Sequence, residues 1–160
     1  MGNQARNLND YEYYHVTTRG NKKKIIFLDD EDYMSFLKIL KKTKLIYSNI
    51  RLYAYCLMPN HVHLLINSLK AKEIPKFMKR INLCYSIFFN KKYSCVGHVW
   101  QKRYLPKPIL HHQYLQNCVN YIEANPVRAK ICRNIEDYKW SSYKEHFLSV
   151  KYGLLDDFDE

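Results

Sequence analysis

Hydrophobic and polar residues alternate in the first half of the chain, and this pattern predicts three β-strands. Residues 13–18 are mostly aromatic or β-branched, and the turn sequence Arg-Gly-Asn follows at 19–21. Hydrophobic residues occupy every second position of 50–56, which is typical of a strand with one buried face. Residues 58–60 (Met-Pro-Asn) lead tightly into an apolar run at 61–66, so the second and third strands are expected to form a hairpin.

Apolar residues at helical spacing predict three helices. The first would begin at a cap provided by Asp29 or Asp30 and would continue through Lys44. The second is predicted from Glu73 to about Asn90, and the third from about His112 to Asn125.

Residues 97–104 are predicted to form a fourth strand, which Pro106 and Pro108 would end. The order strand, helix, strand, strand, helix, strand is that of a ferredoxin-like α+β fold. Such a βαββαβ fold has an antiparallel sheet with two helices on one face. The helix that begins near His112 would then lie toward the other face.

The chain is predicted to contain one folded domain. Residues 1–12 form a polar N-terminal lead, and residues 13–147 form the domain. Residues 148–160 form an acidic tail that we expect to be disordered.

Two histidines stand two positions apart at the start of the third predicted strand. Because alternate side chains of a strand share a face, His61 and His63 would point to one side. Val62, Leu64 and Ile66 would then pack under the two helices on the other side. The first side would offer two imidazoles to a metal ion. The alternative is a pair of ordinary half-buried histidines, since such a pair can arise by chance among 7 histidines.

The last predicted helix carries two polar side chains beside its apolar stripe. Tyr121 and Asn125 lie one turn apart on the shoulder of that stripe, where Tyr121 could act as a nucleophile and Asn125 as a metal ligand. Pro126 disfavours helical geometry at Asn125 and should end or kink the helix there.

Each of these two roles has an alternative. Tyr121 could be an amphipathic tyrosine at the edge of a core, and Asn125 could cap a short helix with Pro126 in its first turn. Tyr114, seven residues before Tyr121, is the second candidate nucleophile.

The charge balance favours a polyanionic partner. Lys and Arg outnumber Asp and Glu by 26 to 15, which gives a net charge of +11. Four of the acids lie in the last five residues, so the remainder carries 26 positive and 11 negative charges, a net +15. Together with 15 tyrosines that could stack on bases, this balance favours nucleic acid over a solvated basic surface.

The cysteines and the apolar runs indicate where the protein works. The five cysteines are odd in number and contain no Cys-x-x-Cys pair, which argues against a disulfide framework or a zinc knuckle. The N-terminus shows no export signal, and no apolar run approaches the roughly 18 residues of a membrane span. We expect a cytoplasmic protein with no membrane partner.

Five blocks of the sequence resemble the successive signatures of the REP-associated tyrosine transposases. They are 14–21 (Tyr-His-Val-Thr-Thr-Arg-Gly-Asn), 57–65 (Leu-Met-Pro-Asn-His-Val-His-Leu-Leu), 97–104 (Gly-His-Val-Trp-Gln-Lys-Arg-Tyr), 121–129 (Tyr-Ile-Glu-Ala-Asn-Pro-Val-Arg-Ala) and 138–143 (Tyr-Lys-Trp-Ser-Ser-Tyr). These transposases are single-tyrosine members of the His-hydrophobic-His class of nucleases and transposases. The resemblance spans residues 13 to 147 in the expected order.

The resemblance implies roles for individual residues. The metal-binding histidine pair falls on His61 and His63, the nucleophile on Tyr121 and the third ligand on Asn125. Insertion-sequence relatives usually carry Gln at that last position, whereas the REP-associated group carries Asn followed by Pro, as here. Basic side chains in or beside the blocks are expected to bind DNA: Arg19, Lys22, Lys23, Lys102, Arg103 and Arg128.

The implied reaction is Mg²⁺- or Mn²⁺-dependent cleavage and transfer of single-stranded or hairpin DNA through a 5′-phosphotyrosine. Such an enzyme would carry out DNA transposition or process repeats in the bacterial cytoplasm, associated with the nucleoid. The resemblance favours a monomer, and a dimer is the alternative. The main alternative is a non-catalytic regulator that binds hairpin nucleic acid. A replication initiator or relaxase would usually carry more domains, and a zinc hydrolase would need a glutamate beside the histidines.

Overall fold

The computed structural model describes residues 7–148, 150 and 152–158. The predicted N-terminal lead and acidic tail therefore lie partly outside the described residues. Within that range the strands are β1 (Tyr13–Arg19), β2 (Ile50–Met58), β3 (His61–Ser68) and β4 (Leu105–Ile109). The helices are α1 (Asp30–Ile46), α2 (Ile74–Tyr93), α3 (Leu115–Glu123), α4 (Asn125–Arg128) and α5 (Tyr143–Phe147).

The four strands form one sheet in the order β2-β3-β1-β4, and every neighbouring pair is antiparallel. Helices α1 and α2 pack against each other on one face, whereas α3 contacts β2 and β3 on the other. This strand order with two crossing helices confirms the predicted ferredoxin-like α+β fold.

The α1 helix begins where an acidic residue can satisfy its first backbone N–H groups. The Asp29 side chain accepts a hydrogen bond from the Asp32 backbone N–H at 3.1 Å, and Asp32 accepts one in return from Asp29, so Asp29 rather than Asp30 is the cap. Lys92 of α2 binds Asp29, Glu31 and Asp32 at 2.7–2.8 Å. These contacts join the C-terminal end of α2 to the N-terminal end of α1.

The sheet is buried on both faces, and β3 contributes to both cores. Val62, Leu64 and Ile66 are fully buried beneath α1 and α2, as the sequence predicted. Leu65 points to the other face and packs with the apolar stripe of α3. His63 shares that second face, because alternate residues of a strand point the same way.

The prediction that β2 buries a single face is wrong. A β-bulge shifts the register between Leu52 and Ala54. Leu52, Tyr55 and Leu57 belong to the core under α1 and α2, whereas Ala54 and Cys56 belong to the core under α3. The extra residue of the bulge reverses the facing of the positions that follow it, which alternation alone cannot reveal.

The prediction of a fourth strand at 97–104 is also wrong. Strand β4 begins at Leu105, just after the predicted strand ends, and it contains both prolines. Residues 97–104 form a connection in which Trp100 makes an isolated bridge to Gly20. Strand β4 lies at an edge of the sheet and pairs with β1 alone. Pro106 and Pro108 are two residues apart, so their backbone nitrogens point to the same side of the strand. That side can be the free edge, where the missing N–H groups cost no hydrogen bond to β1.

The acidic tail was predicted to be disordered, but its described residues 152–158 contact α1 and β2. Leu154 is buried, and the Asp156 carboxylate accepts a hydrogen bond from the Leu52 backbone N–H at 2.7 Å. The ring of Phe158 stacks on a buried tyrosine of β2 at 4.5 Å. The apolar residues between the acids therefore anchor the tail. The prediction of disorder rested on the overall acidity of the tail and did not take these apolar residues into account.

Candidate active site

The two histidines of β3 lie side by side on the face of the sheet that α3 covers. The ring centroids of His61 and His63 are 4.8 Å apart and their planes are nearly perpendicular. His63 is buried and His61 is half-buried. In the register of the sheet, Thr17 of β1 lies opposite His63, and His15 lies two residues away on the same face.

One nitrogen of each ring is held by a neighbour. The Asn60 side-chain oxygen lies 2.6 Å from His61 Nδ1. His15 Nε2 lies 2.8 Å from His63 Nδ1, and the Thr17 hydroxyl lies 3.4 Å from the same nitrogen. His63 Nε2 is buried and has no hydrogen-bond partner among the described residues. A buried polar atom without a partner requires an explanation, and a bound water or ion is one of those that proteins use.

The histidines of this site are neutral at physiological pH. Burial lowers the pKa of His63 to about 3, and the neighbouring charges of His15, His61 and Arg19 act in the same direction. Burial lowers the pKa of His61 and of His15 to about 4, with additional lowering from Arg19 and Lys107 respectively. The imidazoles can therefore offer lone pairs without first losing a proton.

Tyr121 extends from α3 over the histidines. Its ring centroid lies 5.8 Å from that of His15 and 6.5 Å from that of His63, edge-on in both cases. The residue is 43% exposed and lines the cleft described below. The guanidinium carbon of Arg128 lies 4.2 Å from the ring centroid and holds the ring by a cation–π contact.

Asn125 stands at the break between α3 and α4, where the sequence placed a helix end. Its amide nitrogen donates to the backbone carbonyls of Tyr121 and Ile122 at 3.0 and 3.2 Å. Pro126 follows in the first turn of α4, and no side-chain cap bond starts that helix. Asn125 therefore closes the end of α3 instead of capping α4, and its Oδ1 is the atom left for a ligand role.

Tyr114, the second candidate nucleophile, lies elsewhere. It is 49% exposed and its ring contacts His111 at 5.8 Å. It does not line the cleft described below, whereas Tyr121 does.

A cleft of about 1250 Å³ opens beside the histidines between β1, residues 101–109 and α3. His63 and Tyr121 line this cleft, which also receives cationic side chains. Three of them were predicted to bind DNA: Arg19, Lys102 and Arg103. No Asp or Glu lines the cleft among the described residues.

The other predicted DNA-binding residues lie outside the cleft lining. Lys22 and Lys23 are exposed on the loop that follows β1, and both have a positive φ. Arg128 instead contacts Tyr121, as described above.

Sequence reasoning missed two side chains that border the cleft. His15 contacts His63, and Lys107 lies directly opposite His15 in the pairing of β1 with β4. The alternation of β1 could have placed His15 and Thr17 on one face. Their position beside His63 depends on strand register, which the sequence did not show.

The described residues contain no group of three His, Cys, Asp or Glu side chains suited to a metal ion. A cation here would therefore need a ligand of another type beside the two imidazoles. The unpartnered Nε2 of His63 and the neutral imidazoles are ligands of the type that a divalent ion takes, and Asn125 could add an amide oxygen.

Comparison with known proteins agrees with this architecture. Residues 9–125 match the family model of the IS200-like transposases. A REP-associated tyrosine transposase, solved bound to a REP hairpin, superposes with a TM-score of 0.76 at 17% identity, covering 99% of this chain and 93% of that one. A protein from Deinococcus radiodurans R1 described as a transposase has a TM-score of 0.52 at 22% identity, covering 76% of this chain and 96% of that one. The curated proteins gave no match.

Since the family match spans well over half of its length, the chain belongs to the IS200-like transposases. Membership of that family identifies it as a DNA transposase, an enzyme that cleaves DNA. The resemblance drawn from the sequence blocks is thus confirmed, and the two solved structures share the fold. No helix in the described part of the chain is long and apolar enough to cross a membrane.

Proposed function

We propose that this transposase cleaves and rejoins single strands of hairpin-forming DNA through a covalent bond to Tyr121. The observation that carries the proposal is the position of the Tyr121 ring above His15 and His63, at the end of a cleft lined by cations. A nucleophile, a pair of neutral imidazoles and a polyanion-binding surface meet in one place.

The metal ligands in this proposal are His61 and His63, each through Nε2, and Asn125 through Oδ1. A bound Mg²⁺ or Mn²⁺ would neutralise a nonbridging oxygen of the scissile phosphate and polarise its phosphorus. Nitrogen ligands alone would also suit transition metals, so the choice of Mg²⁺ or Mn²⁺ rests on the family.

The chain's own residues perform the transfer. The Tyr121 oxygen attacks phosphorus, the bond from phosphorus to the 3′ oxygen breaks, and a 5′-phosphotyrosine forms. The phenol gives its proton to water, and the leaving 3′ oxygen takes a proton up. Attack by another 3′-hydroxyl reverses these steps and reseals a strand. One phosphodiester replaces another, so no ATP is consumed.

The cationic side chains of the cleft bind the DNA backbone. Arg19, Lys102, Arg103 and Lys107 line one continuous opening that leads to Tyr121. A groove of this kind tracks a single strand by its phosphates. The hairpin preference is proposed by analogy with the solved REP-associated transposase, which is bound to a REP hairpin.

We propose a monomer in which Tyr121 serves the site of its own chain. The outer edge of β2 is already paired, because Trp140 and Ser142 exchange backbone hydrogen bonds with Leu57 and Tyr55 at 2.8–2.9 Å. At the opposite edge, the prolines of β4 remove N–H donors from the free side. Neither edge offers a complete ladder to a second copy.

A denaturing gel tests the proposal directly. Hairpin-flanked oligonucleotides made from palindromes of the source genome are incubated with the protein and Mg²⁺ or Mn²⁺. Label at the 3′ end should migrate with the protein, whereas label at the 5′ end should be released on a shorter strand with a 3′-hydroxyl. The Tyr121→Phe protein should form no adduct, and Tyr114→Phe should form it normally. Hairpin binding without any adduct in the unaltered protein would instead favour the non-catalytic regulator.

A further inference from the structure

The contacts of the histidine rings indicate which ring nitrogen carries the hydrogen in the metal-free protein. This inference rests on the metal site of the proposed function. We propose that Asn60 and His15 are positioning residues that hold His61 and His63 as their Nδ1–H tautomers. Both Nε2 atoms then carry free lone pairs, and they belong to rings on the same face of the sheet.

The orientation of the Asn60 amide fixes the tautomer of His61. Asn60 Nδ2 donates to the Lys23 carbonyl at 3.2 Å, so the oxygen of the amide is the atom that lies 2.6 Å from His61 Nδ1. An amide oxygen can only accept a hydrogen bond, and therefore His61 Nδ1 must carry the hydrogen. In a neutral imidazole the other nitrogen, Nε2, then has a free lone pair.

Asn60 is itself held in place by the backbone. Its carbonyl accepts a hydrogen bond from Gly20 N–H at 2.9 Å, and the preceding Pro59 carbonyl accepts from Ile26 N–H at 2.8 Å. A side chain at Gly20 would meet the Lys24 carbonyl at 2.4 Å, so this loop is tightly closed against the turn. These contacts hold the backbone of Asn60 in place, so its side chain extends from a fixed point.

The same tautomer follows for His63 from its two nitrogens. His63 Nδ1 lies 2.8 Å from His15 Nε2, so one of the two rings donates. His63 Nε2 is buried without a partner among the described residues. A hydrogen on that Nε2 would be a buried donor with no acceptor, which proteins tolerate less well than a buried lone pair. The arrangement therefore favours His63 Nδ1–H donating to His15 Nε2.

The consequence is a pair of metal-facing atoms that need no rearrangement on binding. A histidine free in water exchanges between tautomers and ring orientations, and that freedom would be lost when a metal binds. Partners that fix the other ring nitrogen remove this cost, and their loss typically weakens metal affinity by about 10- to 100-fold.

Nitrogen-15 NMR of the metal-free protein tests the proposal, because two-bond couplings from the ring hydrogens distinguish the tautomers. His61 and His63 should each appear as a single Nδ1–H form. In Asn60→Leu, which has a similar size and no acceptor, His61 should shift toward the Nε2–H form. Asn60→Asp keeps an acceptor and should retain the Nδ1–H form. His15→Phe leaves only the Thr17 hydroxyl, at 3.4 Å, near His63 Nδ1, so the Nδ1–H form of His63 should lose population. His15→Gln, which can supply an amide oxygen, should preserve it.

Calorimetric titration with Mn²⁺ alone gives the second readout. Asn60→Leu and His15→Phe should bind Mn²⁺ about 10- to 100-fold more weakly, and Asn60→Asp should bind at least as tightly as the unaltered protein. An Nε2–H form of His61 or His63 in the unaltered protein would overturn the proposal, whether or not any variant folds. Unchanged tautomers and Mn²⁺ affinity in both Asn60→Leu and His15→Phe would overturn it as well.

Failure of the proposed function would look different. If the unaltered protein shows both Nδ1–H tautomers but binds no Mn²⁺, the positioning contacts stand and the metal site is wrong. If Mn²⁺ binds and the tautomers are mixed, the metal site stands and the positioning role is wrong.

Discussion

The two faces of the sheet are built from the same strands and serve different ends. Beneath α1 and α2, β3 contributes Val62, Leu64 and Ile66 to a closed apolar core. Beneath α3, the alternate position His63 is 7% exposed, has an unpartnered nitrogen and borders an open cleft. Both faces bury apolar side chains, whereas the polar groups of the candidate site lie on the second face.

One strand can therefore separate folding from function, because its successive side chains point to opposite faces of the sheet. Apolar side chains on the α1/α2 face fix the position of the backbone. The fixed backbone also fixes the positions of the histidines on the other face, because a rigid strand holds them at a constant spacing. Substitutions on the two faces should therefore have separable effects on DNA attachment and on the free energy of unfolding.

The largest effect is expected from Tyr121→Phe, which should abolish covalent attachment to DNA. The change removes one exposed hydroxyl and keeps the ring that Arg128 contacts, so the free energy of unfolding should stay within about 0.5 kcal/mol of the unaltered value. Denaturing gels and urea titration measure the two properties. Attachment that survives in Tyr121→Phe but disappears in Tyr114→Phe would move the nucleophile to the other tyrosine.

Phe36→Ala should have the opposite profile. Phe36 is fully buried beneath the sheet, and its truncation should lower the free energy of unfolding by about 3–5 kcal/mol. At temperatures where the variant remains folded, the yield of DNA adduct per folded molecule should change little. A folded Phe36→Ala protein without activity would show that the two faces are not separable.

Acid should act through the histidine face. The pKa of His63 is about 3 in the folded chain, against an ordinary value of 6.5. Between these values the unfolded chain binds a proton that the folded chain does not, so stability is lost as pH falls through this window and is level above it. Urea titrations in EDTA should show this loss, and His63→Gln should reduce it. An equal slope in both proteins would contradict the assignment.

The lowered pKa values also set the acid limit for metal binding. Free histidine would predict that activity fades below about pH 6.5. Since burial keeps His61 neutral down to about pH 4, binding of the metal should persist below the range expected from free histidine.

The smallest effect is expected from Lys107→Gln. If Lys107 binds one phosphate, its loss should reduce the log-log salt slope of single-strand binding by about 0.7. Fluorescence anisotropy at several salt concentrations measures the slope. Lys38→Gln, on the outer side of α1, is the matched control and should leave the slope unchanged. Equal slopes for the two variants would place the DNA outside the cleft.

The sequence predicted those features that depend on local periodicity. Alternation placed His61 and His63 opposite the core residues of β3, and helical spacing placed Tyr121 and Asn125 at one end of a helix. Pro126 also indicated an interruption of the helix at Asn125, and the structure has it one residue earlier, at Ala124. Each of these inferences uses residues within one element.

Features that depend on pairing between elements were not predictable in the same way. His15 reaches His63 only through the register of β1 and β3. The β2 bulge and the prolines of β4 broke the simple rules used for strands, since a bulge reverses facing and an edge strand tolerates Pro. The tail residue Leu154 found a buried position because β2 left an edge to cover.

The most direct measurement is tandem mass spectrometry of the covalent adduct formed on a hairpin oligonucleotide. The tryptic peptide 104–128 carries Tyr104, Tyr114 and Tyr121, because Pro108 protects the bond after Lys107. Fragment ions should place the nucleotide phosphate on Tyr121. A phosphate on Tyr104, Tyr114 or a tyrosine outside this peptide would contradict the account.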